Sequence, residues 1–221
     1  MEKVFQPNLT TDLIIKASQN YLKNNKISSY LELGCGGGEI TFKNIKLLKN
    51  SKVVITDISD LAIKTAKEKF KQINFNIDAR VSNLYSNIQN DEKFDLIISD
   101  VASISDIFLK QTKWYDGVSC NTGKNGLFLI KKILNNAHKY LNNNGSIIYP
   151  VLSLSSEIEL LNIAKKKFRD TVKLEQKEWP YEFHDKDFVN KLEAYKLKGL
   201  LNYKFISGLH VFKTSIYQSF I

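Results

Sequence analysis

The chain of 221 residues is poor in cysteine, proline and arginine, and these shortages exclude several classes of protein. Its two cysteines, Cys35 and Cys120, have no CxxC partners, so neither a disulfide scaffold nor a metal centre is indicated. No apolar run approaches the roughly 18 residues that span a bilayer, and the N-terminus shows no signal-peptide pattern. Hydrophobic residues make up 43% and charged residues 25%, as in globular proteins. We therefore expect a single cytoplasmic domain over residues 1–221, without a membrane partner.

Arginine is scarce even though the chain is basic. Only two of its 32 basic residues are arginines, Arg80 and Arg169. A net charge of +9 would suit a polyanionic partner such as RNA. However, the lysines are scattered among asparagines, and their densest cluster, 165–167, falls in an amphipathic helical pattern whose solvated face it would form. This distribution favours a compositional bias over RNA binding, which stays open as an alternative.

Short apolar runs alternate with amphipathic segments along the chain. Helical patterns cover 10–23, 39–50, 59–72, 126–145 and 155–168. Strand patterns cover 28–33, 52–57, 75–82, 94–100, 146–154, 171–179 and 203–215. Thr10 or Thr11 is the expected N-cap of the first helix, and Ser155 or Ser156 that of the last. The alternation predicts an α/β fold, a Rossmann-like doubly wound sheet of seven strands with helices on both faces. The last two strands, with a polar insert at 180–200 between them, predict an antiparallel hairpin at the C-terminal edge.

The turn after the first strand carries the most specific chemical pattern, Glu32-x-Gly34-x-Gly36-x-Gly38. Glycines let the backbone turn sharply and bring its amide groups close to a ligand. A dinucleotide fingerprint, G-x-G-x-x-G, fails because Glu39 stands where its third glycine would be. The pattern instead resembles the acidic-x-G-x-G-x-G loop of class I S-adenosylmethionine-dependent methyltransferases. A glycine-rich turn without a ligand is the alternative.

This resemblance implies an enzyme whose cofactor is S-adenosylmethionine. The loop residues Gly34, Cys35, Gly36 and Gly38 would admit the methionine carboxylate and the ribose. Glu32 would place negative charge near the ammonium and sulfonium groups.

The ends of the second and third strands support the same cofactor. A carboxylate at Asp57 can accept two hydrogen bonds from a ribose diol, and the resemblance implies that Ile58 packs on the adenine. Asn83, followed by Leu84, would accept from the adenine amino group through its amide oxygen. Helix capping by Asp57 and a structural turn at Asn83 are the alternatives.

An N-terminal segment and the fourth strand narrow the resemblance. Pro7 followed by Thr11 is similar to the segment that precedes the cofactor fold in HemK-type protein-glutamine methyltransferases. Residues 94–100 match the FDLIxSN strand of that group, and the likeness covers roughly residues 4–155. It implies that residues 1–25 form a helical lead-in over the cofactor, with Thr11 in contact with it.

The chain departs from that group directly after the fourth strand. HemK-type enzymes carry Asn/Asp-Pro-Pro-Tyr there, whereas this chain has Asp100 followed by Val-Ala-Ser. Asp100 keeps a polar acceptor and is the candidate catalytic residue, as a base or as an orienting group, with a cofactor-side or capping role as the alternative. Without the prolines and the tyrosine, the stretch 103–125 is expected to form a different substrate lid, with Ser103 as a candidate substrate contact. Trp114 and Tyr115 are candidate substrate contacts with packing as the alternative, and His184 in the insert is a second candidate base or a surface histidine.

The sequence thus predicts methyl transfer to a nitrogen or oxygen atom, in the first place of a small molecule. Positioning the acceptor in line with an activated S–CH₃ bond and excluding water would supply much of the acceleration. Methylation of a protein glutamine, methylation of RNA, and cofactor binding without turnover remain open alternatives, because a fold does not choose its substrate.

Overall fold

Five parallel strands form one half of the sheet in the computed structural model, which describes residues 3–112, 114–118 and 120–221. These strands are β1 (Ser29–Leu33), β2 (Lys52–Asp57), β3 (Asp78–Val81), β4 (Phe94–Ser99) and β5 (Leu141–Leu152). Their order is β3-β2-β1-β4-β5, so the chain reverses direction across the sheet between β1 and β4. Parallel strands are buried on both faces, which explains the nearly continuous apolar runs in β1, β2 and β4.

Three further strands complete an eight-stranded mixed sheet. They are β6 (Asp170–Tyr181), β7 (Lys204–Ile206) and β8 (Leu209–Phe220). β8 lies between β5 and β6 and is antiparallel to both, and the short β7 pairs with the start of β8. The predicted fold class and its antiparallel C-terminal edge are confirmed. The predicted strand 203–215 is divided by a turn at Ser207 and Gly208, where φ is 50° and 82°, which adds an eighth strand.

Helices cover both faces of the sheet. They are α1 (Leu9–Asn24), α2 (Glu39–Asn44), α3 (Asp60–Lys71), α4 (Asp106–Gln111), α5 (Phe128–Tyr140), α6 (Glu157–Lys167) and α7 (Lys186–Leu197). Buried side chains of α1, α2 and α3 share one core cluster, and those of α5 and α6 share another. A third cluster joins α4, α7 and β8 around Phe108, Phe188 and Phe212. The sequence patterns missed α4 and α7; the polar insert 180–200 contains α7. Over the described ranges, no helix is both long and apolar enough to cross a membrane.

Several predicted helix ends differ from the observed ones. Asn8, and neither Thr10 nor Thr11, caps α1: its Oδ1 accepts from the amides of Thr10 and Thr11 at 2.8 and 3.3 Å. Ser156 occupies the N-cap position of α6, but its hydroxyl donates to a distant carbonyl instead of capping the helix. α5 ends at Tyr140 and not at Gly145, which lies inside β5, where a Cβ would come within 2.9 Å of neighbouring backbone oxygens. The run 39–50 is likewise shorter as a helix, since α2 is followed by a 3-10 turn.

Candidate functional site

The glycine loop leaves the carboxyl end of β1 at the edge where parallel strands end together. Gly34, Gly36 and Gly38 have φ values of 71°, 51° and 75°, which only glycine adopts at little cost. The amide of Gly34 donates to the carbonyl of Thr56 at 2.8 Å and ties the loop to β2. A Cβ on Gly38 would lie 2.8 Å from the ring of Phe70. The loop is therefore held close to the sheet, and packing as well as backbone conformation requires its glycines.

Asp57 joins this loop to the start of α3. Its Oδ2 accepts from the amide of Gly36 at 2.8 Å, and its Oδ1 accepts from the amide of Ser59 at 2.9 Å. The capping residue of α3 is Ser59, whose hydroxyl accepts from Ala62 at 3.2 Å. Asp57 is thus placed at the loop and not used as the cap. The side chain of Ile58 beside it is 51% exposed, an unusual position for a large apolar group at the end of a buried strand.

Glu32 is a buried carboxylate under the loop, with only 1% of its surface exposed. Its Oε2 accepts from the amide of Thr41 at 3.1 Å, from the Thr41 hydroxyl and from the Tyr30 hydroxyl at 3.3 Å. Burial, with a smaller contribution from the charge of Asp100, raises the pKa of Glu32 to about 7 against the hydrogen bonds from Thr41. Among the described residues, every hydrogen bond to this carboxylate falls on Oε2.

Asp100 and Thr11 meet at the tip of β4. The Thr11 hydroxyl donates to Oδ2 of Asp100 at 2.7 Å, while it accepts from the amide of Asn8 at 3.3 Å. The capping interaction therefore also orients the hydroxyl that holds Asp100. Asp100 is half-buried, and desolvation raises its pKa to about 7 in spite of the bond from Thr11. A carboxyl group with a pKa near neutrality can take up or release a proton at physiological pH.

Three cavities adjoin this edge of the sheet. The first, the glycine-loop cavity, has a volume of about 360 Å³ and lies between Thr11, Glu32, the loop and Asp100. The second, the strand-tip cavity, has a volume of about 350 Å³ and is lined among others by Asp57, Ile58, Asn83, Leu84 and Asp100. The third, the aromatic cavity, has a volume of about 710 Å³ and includes Trp114, Tyr115, Trp179 and Tyr181 in its wall. Phe5 lines all three cavities, so they meet at one place.

Most of the sequence-predicted site residues lie at these cavities. Thr11, Glu32, Gly34, Cys35 and Gly36 line the glycine-loop cavity, and Asp57, Ile58, Asn83 and Leu84 line the strand-tip cavity. Gly38 lies outside both linings and packs on Phe70 instead. Asp100 lines both of these cavities and is absent from the wall of the aromatic cavity. Their roles as ligands of a cofactor remain predictions.

Two of the three predicted substrate residues line a cavity, and the third does not. Trp114 and Tyr115 line the aromatic cavity, but Ser103 is buried, donates to the carbonyl of Gly126 at 3.3 Å and lines none of the three cavities. His184 is exposed and lies near Glu182, away from these linings. Within the described ranges, His, Cys, Asp and Glu side chains form no cluster that could hold a metal ion.

Sequence reasoning missed several residues of the cavity walls, among them the aromatic residues Phe5, Trp179 and Tyr181. Alternation within a strand puts residues 179 and 181 on the same face of β6, but the strand pattern in the sequence ended at residue 179 and therefore offered a signal for Trp179 alone. Phe5 lies in an irregular segment before α1, and no sequence periodicity points to it.

Comparisons with known proteins agree with this geometry. A family model described as "Methyltransferase domain" matches residues 24–195. A bifunctional methyltransferase of Rickettsia bellii is 33% identical over 149 residues, which are 63% of this chain and 26% of that protein. A release factor glutamine methyltransferase of Fusobacterium nucleatum is 29% identical over 160 residues, 68% of this chain and 44% of that protein. The chain thus spans less than half the length of either relative. The YcgJ protein of Bacillus subtilis, at 11% identity, superposes with a TM-score of 0.62 over 96% of this chain and 97% of its own, a likeness of fold alone.

Proposed function

Because this chain belongs to the family of methyltransferase domains, enzymes whose methyl donor is S-adenosylmethionine, we propose that it methylates a nitrogen or oxygen atom of a small molecule. The enzyme class and the cofactor predicted from the sequence are confirmed by this membership. The acceptor is the proposed part. The observation that carries it is the position of Asp100, which lines the two smaller cavities beside Phe5, where the large aromatic cavity begins.

The residues around the two smaller cavities fit S-adenosylmethionine. Glu32 has Oε1 to offer to an ammonium group, and the buried cation would offset the cost of ionising this carboxyl. Asp57 can accept from a ribose diol while it holds the loop, and Ile58 offers an apolar surface to the adenine. Only glycine fits at position 34 of this wall, since a Cβ there would lie 2.7 Å from Cγ1 of Val101. When bound, the cofactor supplies an activated methyl group on a sulfonium, and the electron pair of the broken S–CH₃ bond stays on sulfur.

Asp100 then handles the proton of the acceptor. The nitrogen or oxygen lone pair of the acceptor forms the new bond to the methyl carbon, and the proton of that atom passes to the Asp100 carboxylate. Burial raises the pKa of Asp100 to about 7, which suits a base that works near neutral pH. Thr11 holds Oδ2 at 2.7 Å, so Oδ1 is the oxygen left for the acceptor.

The cover over the site favours a small acceptor. Phe5 stacks on Tyr115 with 5.3 Å between ring centroids, and the amide of Lys3 donates to the carbonyl of Gly117 at 2.8 Å. Segments 3–8 and 114–118 therefore meet above Asp100. A large folded substrate would have to displace both segments, whereas a small molecule has an adjoining cavity to enter.

Methylation of a protein glutamine is the second candidate. It is favoured by the likeness to the release factor glutamine methyltransferase over 68% of this chain. It is disfavoured by Val101 and Ala102, which stand where the rigid prolines of HemK-type enzymes hold the planar amide.

Titration calorimetry with S-adenosylmethionine and S-adenosylhomocysteine tests the cofactor site. Asp57→Ala is expected to weaken both ligands by about tenfold or more, because it removes a charged hydrogen-bond acceptor. The matched control is Asp60→Ala: Asp60 is exposed three residues further on, pairs with Lys64 and lines neither cavity. It should change either affinity by less than about twofold, and circular dichroism confirms that both variants fold.

Transfer of labelled methyl groups then tests the acceptor. We expect label in the small-molecule fraction of a cell extract. Label confined to glutamine side chains of the protein fraction would replace this proposal with the second candidate. If the folded wild-type protein binds neither S-adenosylmethionine nor S-adenosylhomocysteine, both are wrong.

A further inference from the structure

The aromatic cavity is the largest of the three, and its wall consists mainly of apolar and aromatic side chains. Its volume of about 710 Å³ falls in the range of small-molecule sites, roughly 300–1,000 Å³. Trp114 packs edge-on against Trp179 and Tyr181, with ring centroids 6.1 and 5.6 Å apart. Rings at right angles to one another expose both ring faces and ring edges, which are the surfaces that planar aromatic ligands contact.

Polar side chains are a minority of this cavity's wall, and its charges are confined to one ion pair. Lys3 and Asp116 are the charged residues of the described lining; both are exposed, and they pair with each other at 3.3 Å. The indole nitrogen of Trp179 donates to the Thr214 hydroxyl at 3.1 Å, so it is already satisfied. An ionised ligand would lose its hydration without gaining a partner of opposite charge. An uncharged ligand does not pay this desolvation cost. The chemistry of the wall therefore selects a neutral occupant.

One stacked pair separates this cavity from the methyl-transfer site. Phe5 and Tyr115 lie 5.3 Å apart at an interplanar angle of 18°. Phe5 lines all three cavities, and Tyr115 lines both the aromatic and the strand-tip cavity. Phe5 belongs to an irregular segment without helical or strand hydrogen bonds, so its side chain can rotate without breaking a helix or a strand pairing. A planar ring that entered between the two would replace the stacking contact it breaks.

From these observations we propose that the methyl acceptor is a neutral, planar aromatic molecule, bound in the aromatic cavity with its nucleophilic atom directed past Phe5 and Tyr115 toward Asp100. This inference rests on the proposed function and names its substrate class. A glutamine side chain is planar only at its small amide and would leave most of the aromatic wall uncovered. The cavity would then be exposed to water as a large apolar surface.

The chain supplies its own reporter for this cavity. Trp114 and Trp179 are its only two tryptophans, and both line the wall. Tryptophan emission of protein saturated with S-adenosylhomocysteine is measured as benzimidazole or indazole is added. Both probes are neutral, planar and carry a nucleophilic nitrogen. Cyclohexanecarboxamide, neutral but not aromatic, is the control ligand.

Two substitutions to phenylalanine on the first turn of α1 serve as matched variants, one that fills the aromatic cavity and one that does not. The side chain of Thr10, on the first turn of α1, lines the cavity, whereas that of Asp12 on the same turn is exposed and lines none of the three. Thr10→Phe is expected to weaken probe binding by about tenfold or more, a loss of about 1.4 kcal/mol. Asp12→Phe should leave it within about twofold. Calorimetry with S-adenosylhomocysteine on the same samples should give the wild-type affinity for both variants.

The proposal predicts a saturable change in emission with both planar probes, a far weaker one with cyclohexanecarboxamide, and loss of the change in Thr10→Phe. If S-adenosylhomocysteine binds normally but neither planar probe alters the emission, the substrate class is wrong while the proposed function stands. Equal responses to the aromatic and the non-aromatic ligand would also overturn it. If S-adenosylhomocysteine itself does not bind, the proposed function fails first.

Discussion

Replacing Glu32 by glutamine should make the ligand-free protein more stable at alkaline pH and a poorer binder of S-adenosylmethionine. Glu32 is buried, and its Oε2 accepts hydrogen bonds from the amide of Thr41 and the hydroxyl of Tyr30. A glutamine side chain keeps an oxygen for these donors but carries no charge. The substitution therefore removes the cost of a buried carboxylate and, together with it, the partner of a ligand ammonium group.

The size of the effect follows from the pKa. Burial raises the pKa of Glu32 from 4.5 to about 7, so the folded protein holds this proton more tightly than the unfolded chain does. Stability contributed by the neutral carboxyl is present below pH 4.5 and is lost as the pH rises through about 7. A shift of this size corresponds to about 3 kcal/mol. In the ligand complex, loss of a charged hydrogen bond should cost about 1.5–3 kcal/mol, or roughly a 10- to 100-fold lower affinity.

Urea unfolding at about pH 5 and about pH 8 measures the stability difference. The free energy of unfolding of Glu32→Gln should exceed that of the wild-type protein by up to about 3 kcal/mol at the higher pH, and by little at the lower pH. Glu68→Gln, at an exposed position of α3, is the control and should show no such dependence. A stability difference that is the same at both pH values would refute the assignment of a buried, neutral-pKa carboxyl. Unchanged affinity for S-adenosylmethionine would refute its contact with the ammonium group.

Two further predictions concern the neighbours of this site. Thr11→Val removes a hydrogen bond that lowers the pKa of Asp100, so the pKa of Asp100 should rise above 7. The acid limb of the kcat/KM profile should therefore move to higher pH. Thr11→Ser keeps the hydroxyl and should preserve the profile. Gly38→Ala combines a φ of 75° with a Cβ 2.8 Å from the ring of Phe70 and should cost about 2–3 kcal/mol of unfolding free energy. Gly199→Ala has a φ of 66° but open space, and should cost only about 1 kcal/mol; equal losses in thermal unfolding would contradict the packing argument.

The parts of the site that were predictable depend on residues close together in the chain. The loop from Gly34 to Gly38 and the strand end at Asp57 each follow a buried apolar run, and parallel strands bring their carboxyl ends to one edge. The predicted N-cap of α1 was wrong for a local reason. Asn8 and Thr11 form a reciprocal capping box in which Asn8 is the N-cap, so Thr10 and Thr11 both lie inside the helix.

Contacts between distant segments were not predictable in the same way. Phe5 and Tyr115 are separated by more than a hundred residues, and their stacking follows from how the segment before α1 crosses the segment after α4. The helix α7 was missed because it lies within a segment interpreted as a polar insert, and only its Phe188 and Leu192 are buried. These two residues belong to the third core cluster, which several distant elements build together.

The sequence by itself determined the alternation of strands and helices, the glycine loop and the acidic residues Glu32 and Asp57, because each depends on local periodicity or spacing. The cofactor followed from the resemblance of that loop to class I S-adenosylmethionine-dependent methyltransferases. Only the tertiary structure decided that Asp100 is held by Thr11, that Glu32 is buried deeply enough for its pKa to rise to about 7, and that Trp114 and Trp179 line one cavity. Desolvation and cavity shape depend on which distant side chains surround a group, and folding alone sets those neighbours.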